Sequence, residues 1–200
     1  MTAAGLIFVL SGPSGVGKDT VLGVLLRRGF PIGRVVTAVT RPPRPSEREG
    51  VDYHFLERGR FLELVEAGEF LEWTEYVASP RGTPLFALRE TLARGRDALL
   101  KIDVEGFRKV KQRLPNAIGI FLAPPSFELL ESRIRRRSDT PLDEMARRLE
   151  RARHEMLALP DYDYRVVNDE DRSEQAADEV AAIVIAERAR VKPRITVLDP

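Results

Sequence analysis

The stretch Gly12-Pro13-Ser14-Gly15-Val16-Gly17-Lys18-Asp19-Thr20 follows the apolar run 6–10 and precedes a segment of helical periodicity over 19–28. A glycine-rich turn between a strand and a helix, closed by a lysine, is the context that a phosphate-binding loop requires. Glycine leaves room for successive backbone N–H groups to wrap phosphate oxygens, and a β-carbon at Gly12 or Gly17 would obstruct that wrapping. The helix N-terminus adds partial positive charge from below, and Lys18 is placed to reach the outer phosphates of a nucleotide. A glycine-rich turn with an incidental lysine would carry the same letters, but here strand, spacing and helix coincide.

One position departs from the pattern. The residue after the lysine is ordinarily Ser or Thr, with its hydroxyl on Mg²⁺; here it is Asp19, and Thr20 follows. A carboxylate ligates Mg²⁺ well but also sets negative charge beside the phosphates, which makes nucleotide binding more metal-dependent. Asp19 capping the helix is the other reading, and both stand at this point.

Outward from the loop, short apolar runs at 98–104, 118–122 and 165–167 alternate with helical periodicity at 59–67, 84–93, 107–113, 127–136, 141–157 and 174–191. This alternation predicts an α/β fold with a parallel sheet flanked by helices. Ser126 is placed to cap the helix over 127–136, and Thr140, Pro141 and Asp143 suit the start of the next. The 200 residues suit one core, giving a single domain with its core at 1–34, 84–132 and 158–191. The proline-rich, then amphipathic text of about 35–83 reads as a small inserted lobe. The arginine-rich text of about 133–157, around Ser138-Asp139-Thr140-Pro141, reads as a helical lid. The tail 192–200 finds no partner in the pattern.

Lys plus Arg number 32 against 31 Asp plus Glu, so a formal charge of +1 gives no overall attraction to nucleic acid or an anionic membrane. Cysteine is absent, which excludes disulfides and thiolate metal sites and suits a reducing, cytoplasmic setting. The run 5–10 is too short to span a bilayer and lacks signal-peptide flanks. The expectation is a soluble protein that binds small molecules, with no obligate protein partner.

A second phosphate site is legible in Thr40-Arg41-Pro42-Pro43-Arg44-Pro45-Ser46-Glu47-Arg48-Glu49-Gly50-Val51-Asp52-Tyr53-His54-Phe55. Two arginines three apart in a proline-stiffened segment can present forks to one phosphate, with Tyr53 adding a hydroxyl. The order of these residues resembles the guanylate kinase family, whose nucleotide-binding lobe carries T-R-x-P-R-x-x-E-x-x-G-x-D-Y-x-F. The resemblance continues through Glu69-Phe70-Leu71-Glu72-Trp73, Gly82-Thr83, Ile102-Asp103-Val104-Glu105-Gly106, Ala123-Pro124-Pro125-Ser126 and Val166-Val167-Asn168-Asp169, covering the chain from Leu6 to about Asp169.

The resemblance implies a P-loop kinase that phosphorylates GMP, and dGMP alongside it, from ATP with Mg²⁺. It implies that Arg41, Arg44 and Tyr53 hold the GMP phosphate, while Thr37, Glu72, Thr83 and Asp103 read guanine. ATP would be held by Gly12, Pro13, Ser14, Gly15, Val16, Gly17, Lys18, Asp19 and Thr20 with Arg133, Arg137 and Asn168. Charge on the transferring group would be neutralised by Lys18, Arg41, Arg137 and Arg148, the last also contacting GMP. Arg135, Arg136, Arg147 and Arg151 read as solvated helix faces. Guanine offers N1–H and its N2 amine as adjacent donors, so a carboxylate such as Glu72 can accept from both, which adenine does not permit.

Two further positions depart from the family. Its Y-G-[ST] reads Arg81-Gly82-Thr83 here, and Arg81 can bind phosphate by charge in place of the tyrosine. Its D-x-D-x-Q-G reads Lys101-Ile102-Asp103-Val104-Glu105-Gly106, with lysine for the first acid. An acid lost at 101 and gained at 19 suggests that Lys101 pairs with Asp19, the latter keeping a metal-facing carboxylate. Two other readings are weighed: a ribose bisphosphate kinase, whose loop shares Lys18-Asp19-Thr20, and a non-catalytic guanylate kinase-like binding module. The first lacks the R-x-P-R and E-W segments, and the second typically has an eroded loop.

Overall fold

Strand β2 (Ile7–Ser11) is the middle of a five-stranded parallel sheet, and its alternating side chains explain why. Phe8 and Leu10 enter a cluster on one face of the sheet, while Ile7 and Val9 enter another on the opposite face. All four are fully buried, so the strand reads as a continuous apolar run with helices on both sides, each side chain contributing about 1.5–3 kcal/mol. The order across the sheet is β10 (Tyr164–Val167), β9 (Ile118–Ala123), β2, β8 (Ala98–Lys101) and β3 (Gly33–Arg34). The computed structural model describes residues 3–76, 79–136 and 142–198.

Helices α1 (Lys18–Arg27), α5 (Phe127–Arg136), α6 (Leu142–Met156) and α7 (Ser173–Arg188) supply apolar residues to the first face. Helices α3 (Leu85–Ala93) and α4 (Val104–Arg113) cover the second. Ser126 Oγ accepts from Leu129 N–H at 3.3 Å, the expected cap contact of α5. The proposed start of α6 at Thr140, Pro141 and Asp143, and the bend at 138–141, lie outside the described residues or side chains.

Between β3 and α3 the chain builds a separate four-stranded sheet in the order β5 (His54–Phe55), β4 (Ala38–Val39), β7 (Ser79–Pro84) and β6 (Phe70–Tyr76). Helix α2 (Arg58–Glu66) closes it over a small cluster of Ala38, Phe61 and Phe70, the two rings 4.3 Å apart between centroids.

Two expectations change. The run 98–104 is not all strand, because β8 ends at Lys101 and α4 begins at Val104. Asp103 turns the chain: its Oδ1 accepts the Gly106 N–H at 2.9 Å, capping the helix. The tail does have a partner, since β11 (Thr196–Leu198) pairs antiparallel with β1 (Ala3–Gly5). Its anchor is Arg194, paired with Asp163 and with the fully buried Glu187.

Candidate active site

The glycine-rich turn leaves the carboxyl end of β2 and enters α1, as its sequence requires. Gly12, Gly15 and Gly17 have φ of 137°, 85° and 99°, conformations that favour glycine. Neighbouring elements demand glycine as well. A β-carbon on Gly12 would lie 2.2 Å from the Leu122 carbonyl oxygen of β9, and one on Gly17 would lie 2.4 Å from Asn168 Nδ2. Lys18 Nζ donates to the carbonyls of Gly12 at 2.6 Å and Pro13 at 3.1 Å. Burial pushes its pKa down to about 8, against the opposing attraction of Glu155 and Asp103.

Asn168, directly after β10, donates from Nδ2 to Val16 O at 2.7 Å, and its own carbonyl accepts from Arg133 Nη1 at 3.0 Å. Asn168 is 3 % exposed, and its Oδ1 finds no hydrogen-bond partner among the described residues. With Gly15, Thr20, Arg133 and Asp171 it borders a pocket of about 340 Å³ beside the loop.

A larger cleft of about 500 Å³ runs from the loop to the second sheet. Of the residues expected there, Thr37, Tyr53, Glu72, Arg81, Asp103 and Arg148 line it. Glu72, on β6, is 6 % exposed, and its Oε1 accepts from the fully buried Thr83 hydroxyl at 2.7 Å. Burial raises the Glu72 pKa above the usual carboxylate value. The bulged pairing of β6 with β7 sets these two side chains opposite each other.

Asp19 and Lys101 form an ion pair, as their joint departure suggested. The helix N-cap is Gly17 with no side-chain cap bond, so the capping reading of Asp19 is not what the fold contains. The Asp19 side chain is 83 % exposed and faces the cleft next to Thr20.

Other expected residues lie elsewhere. Arg41 does not line the cleft; its two Nη atoms donate to the two Glu47 oxygens at 2.6 Å, and its guanidinium sits 5.2 Å from the Tyr53 ring centroid. Glu47 also accepts the Arg44 backbone N–H at 2.9 Å, and the Arg41 bonds hold its pKa at about 2. The Arg44 side chain is exposed outside the cleft. Arg148, which does line the cleft, donates to Glu144 at 2.6 Å. Arg137 lies outside the described residues.

Two charged cleft residues were not anticipated. Arg151, read as a solvated helix face, lines the cleft together with Glu155. Their spacing held the signal, since positions 148, 151 and 155 share one face of α6. What the sequence could not show is which way that face turns.

Comparison with known proteins follows the same lines. The family model described as guanylate kinase matches residues 5–187. The guanylate kinase of Lactobacillus acidophilus is 45 % identical over 96 % of this chain and 94 % of its own. That of Synechococcus sp. is 46 % identical over 90 % and 82 %. The crystal structure of guanylate kinase from Anaplasma phagocytophilum superposes with a TM-score of 0.72 at 33 % identity, covering 94 % of this chain and 89 % of that one.

Proposed function

The chain belongs to the guanylate kinase family, and we infer that it transfers the γ-phosphoryl group of ATP to GMP, with dGMP a second acceptor. The observation that carries this reading is the buried Glu72 carboxylate, steadied by Thr83, in a cleft that opens onto the phosphate loop. Guanine's N1–H and N2 amine are the paired donors such a carboxylate accepts, and their arrival would favour its ionised form.

In this reading the glycine-rich loop with Lys18 and Thr20 holds the ATP phosphates, and Arg133 and Asn168 border the adenine. Thr37, Glu72, Thr83 and Asp103 face guanine. Arg41, Arg44, Tyr53 and Arg81 serve the acceptor phosphate, which requires Arg41 to exchange Glu47 for it. Lys18, Arg41, Arg137 and Arg148 neutralise charge on the phosphoryl oxygens. The acceptor is already an anion, so no strong general base is needed and catalysis is positioning plus electrostatics. Lid closure excludes water and limits wasteful hydrolysis of ATP.

The residues at the loop fit Mg²⁺, which binds through one or two carboxylates and the phosphates themselves. Asp19 and Thr20 would hold it, Asp19 remaining largely exposed while paired to Lys101. An Mg²⁺ held there would supply positive charge to offset that of the phosphates. No described helix is long and apolar enough to cross a membrane, and the cytoplasm, where nucleotides are interconverted, is the proposed setting.

The test is ADP release from ATP with GMP, dGMP, AMP, CMP or UMP in turn. Turnover is expected with GMP and dGMP and near background with the others; equal turnover with AMP would overturn the assignment of Glu72.

A further inference from the structure

A run of polar contacts crosses the cleft through Arg151 and Glu155, two residues with no role in the reading above. The Ser14 N–H of the phosphate loop donates to Glu155 Oε2 at 3.0 Å. Arg151 Nε donates to Glu155 Oε1 at 3.1 Å, and its Nη2 to Asp103 Oδ2 at 3.1 Å. Arg81 Nη2 donates to the same Asp103 oxygen at 2.9 Å. The phosphate loop, α6, the cap of α4 and strand β7 are thereby joined.

Two guanidiniums and two carboxylates balance in this run, but it opens onto the cleft rather than forming a closed structural pair. Two guanidiniums share one oxygen of Asp103, whose other oxygen is taken by the Gly106 N–H. Glu155 is 8 % exposed, whereas Arg151 and Arg81 border the open cleft between the phosphate loop and Glu72. An arginine loses side-chain entropy when it is fixed. Carboxylates on both its Nε and Nη2 edges meet that cost before any nucleotide arrives.

We propose that Arg151 is a further catalytic residue, donating to the oxygens of the transferring phosphoryl group, and that Glu155 is the positioning residue that aims it. In the step, the bond from phosphorus to the ADP bridging oxygen breaks as the bond to a GMP phosphate oxygen forms. No proton needs to move, and Arg151 offsets charge on the equatorial oxygens. The inference deepens the kinase reading and rests on it.

The experiment compares the full-length wild type with Arg151→Gln, Arg151→Lys, Glu155→Gln and the Arg151→Gln/Glu155→Gln double variant. It reads kcat, KM for each nucleotide, the Kd for ADP, melting temperature, and trapping of ADP with aluminium fluoride and GMP. Loss of one transition-state donor predicts kcat down about 10²-fold in Arg151→Gln, with ADP affinity and melting temperature near wild type and trapping weakened in step with kcat. Arg151→Lys keeps the charge should the glutamine variant fail to fold, and is expected to retain about a tenth of kcat, lacking the planar fork. Glu155→Gln should lose about tenfold, and the double variant should be no worse than Arg151→Gln alone, as coupled residues behave. A kcat within twofold of wild type in both Arg151 variants, or unaltered trapping, overturns the catalytic role. Fully multiplicative losses in the double variant overturn the positioning role. A wild type that does not phosphorylate GMP would instead refute the kinase reading itself.

Discussion

Lys18 holds its ammonium against the carbonyls of Gly12 and Pro13, with its pKa pushed down to about 8 by burial. A lysine whose folded pKa lies below its ordinary value of 10.5 penalises the folded state while charged. The penalty is therefore present below about pH 8 and fades as pH rises from there toward 10.5. Two outcomes follow for Lys18→Met. Turnover should fall by about 10²–10³-fold, as for loss of a principal electrostatic donor. The melting temperature of the nucleotide-free protein at pH 7 should hold or rise, with any gain vanishing toward pH 10.5. A marked drop in melting temperature at pH 7 would show that the two carbonyl contacts outweigh desolvation. The residue itself was legible from the loop pattern, because spacing alone puts a lysine there. Its pKa was not, since the burial comes from packing beyond the loop.

At the scale of the element, Asp103 caps α4 through one oxygen and binds Arg81 and Arg151 through the other. The two duties are separable by substitution. Asp103→Asn keeps a good cap but no charge for the arginines, whereas Asp103→Ala removes both. Chemical denaturation should place the alanine variant about 1 kcal/mol below the asparagine variant, while GMP turnover falls to a similar extent in both. Equal stability of the two would show that the cap contributes little. The sequence run 98–104 read as strand because its apolar, β-branched text is the same whether the chain continues or turns. Only the Gly106 N–H arriving at the Asp103 carboxylate ends the strand and starts the helix. Arg151 and Glu155 tell the same story on α6: four residues of spacing gave a common face, and the packing of α6 against the loop decided that this face was the cleft.

For the whole molecule, the chain ends are joined by β1 and β11, and the join is locked from inside. Glu187 on α7 is fully buried, and it accepts from Arg194 and from the Tyr164 hydroxyl. Arg190 stands 3.7 Å away. Breaking a buried pair from one side leaves a charge uncompensated. Arg194→Met should therefore cost about 3 kcal/mol, at the low end because Tyr164 and Arg190 remain. Urea denaturation measures this, and a loss under about 1 kcal/mol would mean that Glu187 is adequately held without the tail.

The phosphate loop, the parallel α/β alternation, and the Arg41-to-Phe55 and Glu72 segments were determined by the sequence itself, because each depends on local spacing and on residue types whose chemistry travels with them. The pairing of Asp19 with Lys101 was also foreseeable, since one charge was exchanged for its opposite at two departing positions. Tertiary structure alone decided the rest: that Arg151 and Glu155 enter the cleft beside the phosphate loop, and that the tail returns to the first strand. Those outcomes join residues far apart in the chain. They depend on which faces pack together and which charges are thereby buried, and no local pattern encodes that.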